Sequence, residues 1–176
     1  MAIRKIARLG HPVLRKEAAD VPVNLILSEE IQRLIRDLHE TVLDADGAGL
    51  AAPQVHESKR IVVLDLEDGS GFQVWINPTL TPIGDEWTIT FEGCLSVPQL
   101  RGAVARISKV RVEAYNEEAE KIDIILDDFP AIVAQHECDH LDGILFVDRV
   151  EPGTLCFLEE YRKYMLGVDF TEEEEE

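Results

Sequence analysis

The segment Asp127-Asp128-Phe129-Pro130-Ala131-Ile132-Val133-Ala134-Gln135-His136-Glu137-Cys138-Asp139-His140-Leu141-Asp142-Gly143 joins a helical repeat of apolar residues to an H-E-x-x-H pattern. Phe129, Ile132, Val133, His136 and His140 fall at i, i+3, i+4, i+7 and i+11, the spacing that gathers side chains on one face of an α-helix. Asp127 and Asp128 suit its N-terminal end, and Pro130 is tolerated in the first turn, where amides lack partners. Two imidazoles four residues apart can reach one metal ion, and Glu137 leans toward the same place, where it can hold a water and move its proton. Because the same face carries Phe129, Ile132 and Val133, the histidines point into the protein.

Upstream of this helix the period changes to that of strands. Arg60 to Leu66, Gln73 to Ile76, Glu86 to Phe91, Val110 to Tyr115 and Ile122 to Leu126 are short and rich in β-branched and aromatic residues. Turn formers separate several of them: Asp68-Gly69-Ser70-Gly71, Asn77-Pro78 and Asn116-Glu117-Glu118. Such connections are too short for helical crossovers, which predicts antiparallel pairing. Further upstream, Ser28-Glu29-Glu30 reads as a helix start. Ile31, Leu34, Ile35, Leu38, Val42 and Ala45 follow at helical spacing until Gly47, predicting a helix over about 28–45. A last helix is predicted from near Thr154, with Leu155, Leu158, Tyr161 and Met165 inward. The order makes the fold class α+β, antiparallel sheets accompanying the histidine-bearing helix.

Length and charge narrow the classes of function. The chain has 176 residues, of which 45% are hydrophobic and 30% charged, enough for one real core. One catalytic domain over 1–168 and an acidic, flexible tail over 169–176 are expected. With 17 Lys and Arg against 35 Asp and Glu, the net charge is −18, which disfavours direct binding of a phosphate backbone. No apolar run approaches the ~18–20 residues needed to cross a bilayer. The basic start Met1 to Gly10 lacks the apolar block of a secretory signal. A cytoplasmic protein without membrane attachment is the expectation. Three cysteines, Cys94, Cys138 and Cys156, argue for reduced thiols rather than a disulfide framework.

A catalytic tetrahedral site takes three protein ligands and leaves one position open. Glu151, Glu159 and Glu160 lie downstream of the histidines, as in many H-E-x-x-H peptidases. Cys94, in Glu92-Gly93-Cys94-Leu95-Ser96-Val97-Pro98, offers a thiolate instead, a strong ligand for iron or zinc. Composition alone leaves the two readings open, since an intracellular cysteine is most often a small buried hydrophobe. A third segment, Gly47-Ala48-Gly49-Leu50-Ala51-Ala52-Pro53-Gln54, has glycines that permit close backbone approach and a glutamine amide able to donate.

Taken together, Gly47 to Gln54, Glu92 to Pro98 and His136 to Gly143 resemble, in order and without a mismatch at a fixed position, the three motifs of the peptide deformylases. Gly10 to Arg15, Ile76-Asn77-Pro78 and Leu145 to Arg149 extend the likeness over most of residues 3 to 150. The resemblance implies an α+β fold with antiparallel sheets around a central metal-binding helix. It implies removal of the formyl group from the initiator methionine of new polypeptides. Cys94, His136 and His140 would hold the metal, commonly Fe²⁺, which Zn²⁺ or Ni²⁺ can replace. Glu137 would act as general base and then acid, and the Gln54 side chain and Leu95 backbone N–H would face the oxyanion. Ala48, Phe129, Ile132 and Val133 would line a methionine slot, Gly49 would pair with substrate backbone, and Arg101 would steer the peptide. Asp139 would orient a neighbour, with Arg106 as a candidate partner. The implied partners are N-formylmethionyl nascent peptides, with transient ribosome association. His56 and Asp128 stand where the family often has glycine, Ala48 is smaller than its usual counterpart, and the acidic tail is unsuited to docking on RNA. Two rival readings are an endopeptidase with a carboxylate third ligand and a metal-holding redox sensor without turnover.

Overall fold

The computed structural model describes residues 2–66, 69 and 71–166. The expected tail at 169–176 lies outside them, as do Asp68 and Ser70 of one expected turn. Helix α1, Glu29–Asp44, starts where its capping residue places it, with Ser28 Oγ accepting from the Ile31 N–H at 3.4 Å. Strands follow in the order β1 Gly49–Ala51, β2 Ile61–Asp65, β3 Phe72–Pro82, β4 Trp87–Cys94, β5 Val97–Ile107, β6 Lys109–Tyr115 and β7 Lys121–Asp127. Helix α2 covers Asp128–Leu141, and the short strand β8, Cys156–Phe157, precedes the turn α3, Leu158–Glu160. β1-β2-β3-β6-β7 form one sheet and β4-β5-β8 another, with every strand pair antiparallel.

The larger sheet is covered on both faces. Ile61 and Val63 of β2 pack with Ile31, Leu34, Leu38 and Val42 of α1, while Val62 and Leu64 point oppositely and pack with Ala131, Val133, Ala134 and Leu141 of α2. A strand buried on both faces reads as a continuous apolar run, as Ile61-Val62-Val63-Leu64 does. The flank of α2 turned away from this sheet meets the smaller one through Glu92 of β4 and Arg106 of β5. A separate cluster of Ala7, Leu14, Val97, Val104, Leu145 and Phe146 packs around Cys94. Helix α2 is therefore held between two sheets, and its polar face is enclosed. No helix among the described residues is long and apolar enough to cross a membrane.

Several local expectations are corrected. Asn77-Pro78 is not a turn but an irregularity within β3, where the register shifts between Ile76 and Thr79. Asn77 adopts a φ of 52° and anchors the bulge by bonding the Val21 N–H and C=O, each at 2.8 Å. β1 and β5 carry no strand signature in the sequence, because small residues in one, and Pro98 and Gly102 in the other, break it. The last helix does not begin near Thr154. Phe157 and Cys156 pair instead with Leu100 and Arg101 of β5, and Leu155 is exposed rather than inward. Asp127 holds the cap position of α2 without a side-chain hydrogen bond. Asp128 takes a φ of 54° and donates its N–H to the Ser108 carbonyl at 2.8 Å, which ties the helix start to the β5–β6 link.

Candidate metal centre and peptide cleft

Cys94 closes β4, one residue before the tight Leu95-Ser96 turn into β5. His136 and His140 project from α2 toward it. The ligand atoms of Cys94, His136 and His140 lie within 4.8 Å of one another, the one such three-residue group among the described residues. Cys94 Sγ stands 3.3 Å from His140 Nε2, and the two imidazole centroids are 5.0 Å apart at 82°. His136 donates from Nδ1 to Glu92 Oε2 at 2.7 Å, which turns Nε2 toward the cluster as the nitrogen that would meet a metal ion. Glu92 is clamped in turn by Arg106, Nε to Oε1 at 2.8 Å and Nη2 to Oε2 at 2.9 Å. Arg106 continues to Asp139 Oδ2 at 2.5 Å, and Arg149 grips the same carboxylate from the other side at 2.7 and 2.8 Å.

Electrostatics at the centre favour binding a cation. Burial opposes ionisation of the Cys94 thiol, yet the imidazoles of His140 and His136 outweigh it and hold the thiol well below its usual value. The Ser96 N–H also reaches Cys94 Sγ, at 3.4 Å. Glu92 is buried as well, but Arg106 and then His136 bring its carboxyl down to about 2. A thiolate and two imidazoles at this spacing, one imidazole oriented by a carboxylate, fit a divalent transition ion.

Glu137 is enclosed, and burial pushes its carboxyl above the usual range. Its Oε2 and the Nδ1 of His140 are buried without a hydrogen-bond partner among the described residues. Gly49 of β1 lies so close that a Cβ there would sit 2.5 Å from Glu137 Oε1. Gln54, in a turn of helix over Ala52–Val55, is held by the Ala51 N–H donating to its Oε1 at 2.8 Å. That fixes Nε2 toward Ser96 Oγ at 3.2 Å and, more distantly, Cys94 Sγ at 3.5 Å. Leu95 sits in the two-residue turn, where backbone N–H groups fall outside the strand ladder.

These groups open onto a cleft of about 670 Å³. Ala48, Gly49, Gln54, Cys94, Leu95, Arg101, Phe129, Ile132, Val133, His136 and Glu137 all line it, while His140 lies behind, almost fully buried. The sequence thus singled out a set of residues that the fold brings to one place. Arg101 packs its guanidinium against the bare Cα of Gly93, 2.1 Å from where a Cβ would stand. The Arg106–Asp139 pair is present as expected. Downstream Glu151, Glu159 and Glu160 do not join the cluster. Residue reasoning gave no role to Glu92, although a carboxylate two positions before a cysteine on a strand faces the same side. Phe91 and Leu158 also line the cleft, and only the packing of β4 against the C-terminal turn places them there.

An α+β frame that encloses a thiolate, two imidazoles and a proton-accepting carboxylate beside a peptide-sized cleft defines a metal-dependent hydrolase. Residues 3–154 match the polypeptide deformylase family. A peptide deformylase of Leptospira biflexa serovar Patoc is 42% identical over 164 residues, covering 88% of this chain and 92% of its own. One from Acetivibrio thermocellus is 45% identical over 150 residues, covering 85% of each. The crystal structure of peptide deformylase from Thermotoga maritima superposes with a TM-score of 0.81 at 38% identity, covering 86% of this chain and 100% of that one. A Met-Ala-Ser-bound class I type b deformylase from Acinetobacter baumannii gives 0.78 at 35% identity, covering 85% and 99%. The chain belongs to the polypeptide deformylase family. It is a metal-dependent hydrolase whose activity is removal of the N-formyl group from nascent peptides.

Proposed function

We propose that Cys94, His136 and His140 hold one divalent ion, Fe²⁺ in the cell, with Zn²⁺ or Ni²⁺ able to replace it. A thiolate among the ligands favours such ions over Mg²⁺. When bound, the ion supplies Lewis acidity and makes hydroxide available near neutral pH. Glu137 is the general base and then the general acid: its raised pKa suits a group that takes a proton from water and returns it to the leaving amine. Gln54 Nε2 and the Leu95 N–H face the oxygen on which negative charge develops. The long Gln54 contact to Cys94 Sγ is the one released for this purpose. One such donor contributes roughly 3–4 kcal/mol in the transition state.

The substrate in this reading is an N-formylmethionyl nascent peptide. Ala48, Phe129, Ile132, Val133 and the His136 ring shape the methionine slot, Gly49 pairs with substrate backbone, and Arg101 steers the chain. The Met-Ala-Ser bound to the Acinetobacter baumannii relative has the composition of a deformylated product. A single catalytic domain over 1–168, a cytoplasmic location, transient ribosome association and no direct contact of the acidic tail with RNA complete the proposal. The observation that carries it is the buried, unpartnered Glu137 oxygen beside the Cys94–His136–His140 cluster. The test is formate release from formyl-Met-Ala-Ser by anaerobic, Fe²⁺-loaded protein. Turnover is expected, with Glu137→Gln losing at least about 10²-fold while retaining the ion. Absence of formate from the loaded protein, or full activity in Glu137→Gln, would overturn it.

A further inference from the structure

We propose that the C-terminal turn supplies the wall that reads the second residue of the substrate peptide, with Leu158 meeting its side chain and selecting an apolar one. The inference rests on the deformylase reading, which puts a peptide in the cleft. Leu158 and Tyr161 lie beyond residues 3–154, the part of the chain that the family match covers. Leu158 nevertheless lines the cleft, together with Phe91 and Arg101. Several contacts hold it there. Thr154 Oγ1 accepts from the Ala103 N–H at 3.0 Å, and Cys156 and Phe157 pair with Arg101 and Leu100, which fixes the register of the segment on β5. Tyr161 then stacks on Phe91, with ring centroids 4.8 Å apart. Cys156 Sγ lies 3.8 Å from Met165 Sδ, so the end of the segment folds back on its start. Leu158 is left half-buried at the edge of the cleft.

The topology selects which residue of the peptide it meets. β4 is an edge strand of the smaller sheet and β1 an edge strand of the larger one. Glu92 and Gly93 of β4 and Gly49 of β1 all line the cleft, so an extended peptide lies between the two edges as an added strand. Side chains along such a strand alternate between its two faces. The methionine side chain points to the α2 side, toward Ile132, Val133 and His136, the side that Glu92 also faces. The second side chain therefore points to the opposite side, where Phe91 stands and where Arg101 covers Gly93. There Leu158 and Phe91 offer it an apolar wall. The third side chain returns to the α2 side, away from Leu158. Leu158 carries no group that binds metal or moves a proton, so its effect falls on substrate affinity rather than on the chemical step.

Formyl-Met-Leu-Ser, formyl-Met-Ser-Ser and formyl-Met-Ser-Leu test it on the Fe²⁺-loaded protein. The first should have a KM about fivefold lower than the second at similar kcat, the effect of covering roughly 40 Å² of apolar surface. In Leu158→Ser the ratio of these two KM values should fall to near unity, and Leu158→Met should restore it, a rescue that a merely structural role would not produce. Any gain of formyl-Met-Ser-Leu over formyl-Met-Ser-Ser should be the same in wild type and in Leu158→Ser. Calorimetric titration of the Zn²⁺-loaded protein with the products Met-Leu-Ser and Met-Ser-Ser gives a readout independent of turnover, with a Kd ratio of about five expected. Equal KM values for the first two peptides, a ratio unmoved by Leu158→Ser or not restored by Leu158→Met, or a Leu158-dependent gain at the third position would overturn the assignment. No formate from any of the peptides would instead defeat the deformylase reading. The titration would then decide alone, and equal affinities or an absence of binding would overturn the wall as well.

Discussion

A single methyl group at Gly49 should disable the enzyme without unfolding it. The Cβ of Gly49→Ala would stand 2.5 Å from Glu137 Oε1, 2.6 Å from its carboxyl carbon and 2.7 Å from its Cγ. Ordinary contact begins near 3.4 Å, so the carboxyl must retreat by roughly 1 Å, and a displacement of that size costs on the order of 10²-fold in rate. That corresponds to about 2.7 kcal/mol of transition-state stabilisation. The close atoms are those of Glu137 rather than of Cys94, His136 or His140, so metal content should be unchanged. Gly49 does not occupy the left-handed region, so alanine adds no backbone strain. The assay is formate release from formyl-Met-Ala-Ser, with metal analysis and thermal unfolding run in parallel. A fall of about 10²-fold in kcat/KM with full metal content is expected. Wild-type turnover in Gly49→Ala would refute the placement of Glu137 as the group that moves the proton.

Two further outcomes follow from the charge network. Arg106 is almost wholly buried between Glu92 and Asp139, so Arg106→Met leaves a carboxylate on each side short of a partner. Destabilisation of about 3–5 kcal/mol is expected, a fall in Tm of roughly 10 °C by calorimetry, and an unchanged Tm would contradict the network. Asp37 is held below its usual carboxylate range: burial opposes this, but Arg4 and the Ala2 N–H prevail. A carboxyl depressed in the folded state stabilises it above about pH 4 and loses that contribution as pH falls further. Asp37→Asn should therefore lower Tm at pH 7, with the gap to wild type closing below about pH 4; a gap that widened there would reverse the sign.

How far the sequence carries depends on where each signal resides. Helix α2 and the inward turn of His136 and His140 follow from an apolar period that the fold leaves intact, and α1 follows from Ser28 and its amphipathic face. The strands with β-branched runs were legible for the same reason. β5 was not, because its residues are chosen for neighbours: Gly102 makes room for Val150, whose Cγ2 would lie 2.6 Å from a Cβ there, and Arg106 serves two acids on other elements. The third ligand was undecidable from residues alone, since Cys94 and His140 are brought to 3.3 Å by tertiary packing. Only the resemblance favoured Cys94 beforehand. The role of Glu92 is not legible in the sequence, because Glu92 holds His136 through a contact that joins two elements remote in sequence.

The most direct measurement is X-ray absorption at the metal edge of protein loaded with Zn²⁺ or Fe²⁺. One sulfur at about 2.3 Å and two imidazole nitrogens at about 2.0–2.1 Å are expected, with the sulfur shell absent in Cys94→Ser. A wild-type spectrum containing only nitrogen and oxygen neighbours would contradict the assignment of Cys94 and, with it, the centre on which the chemistry depends.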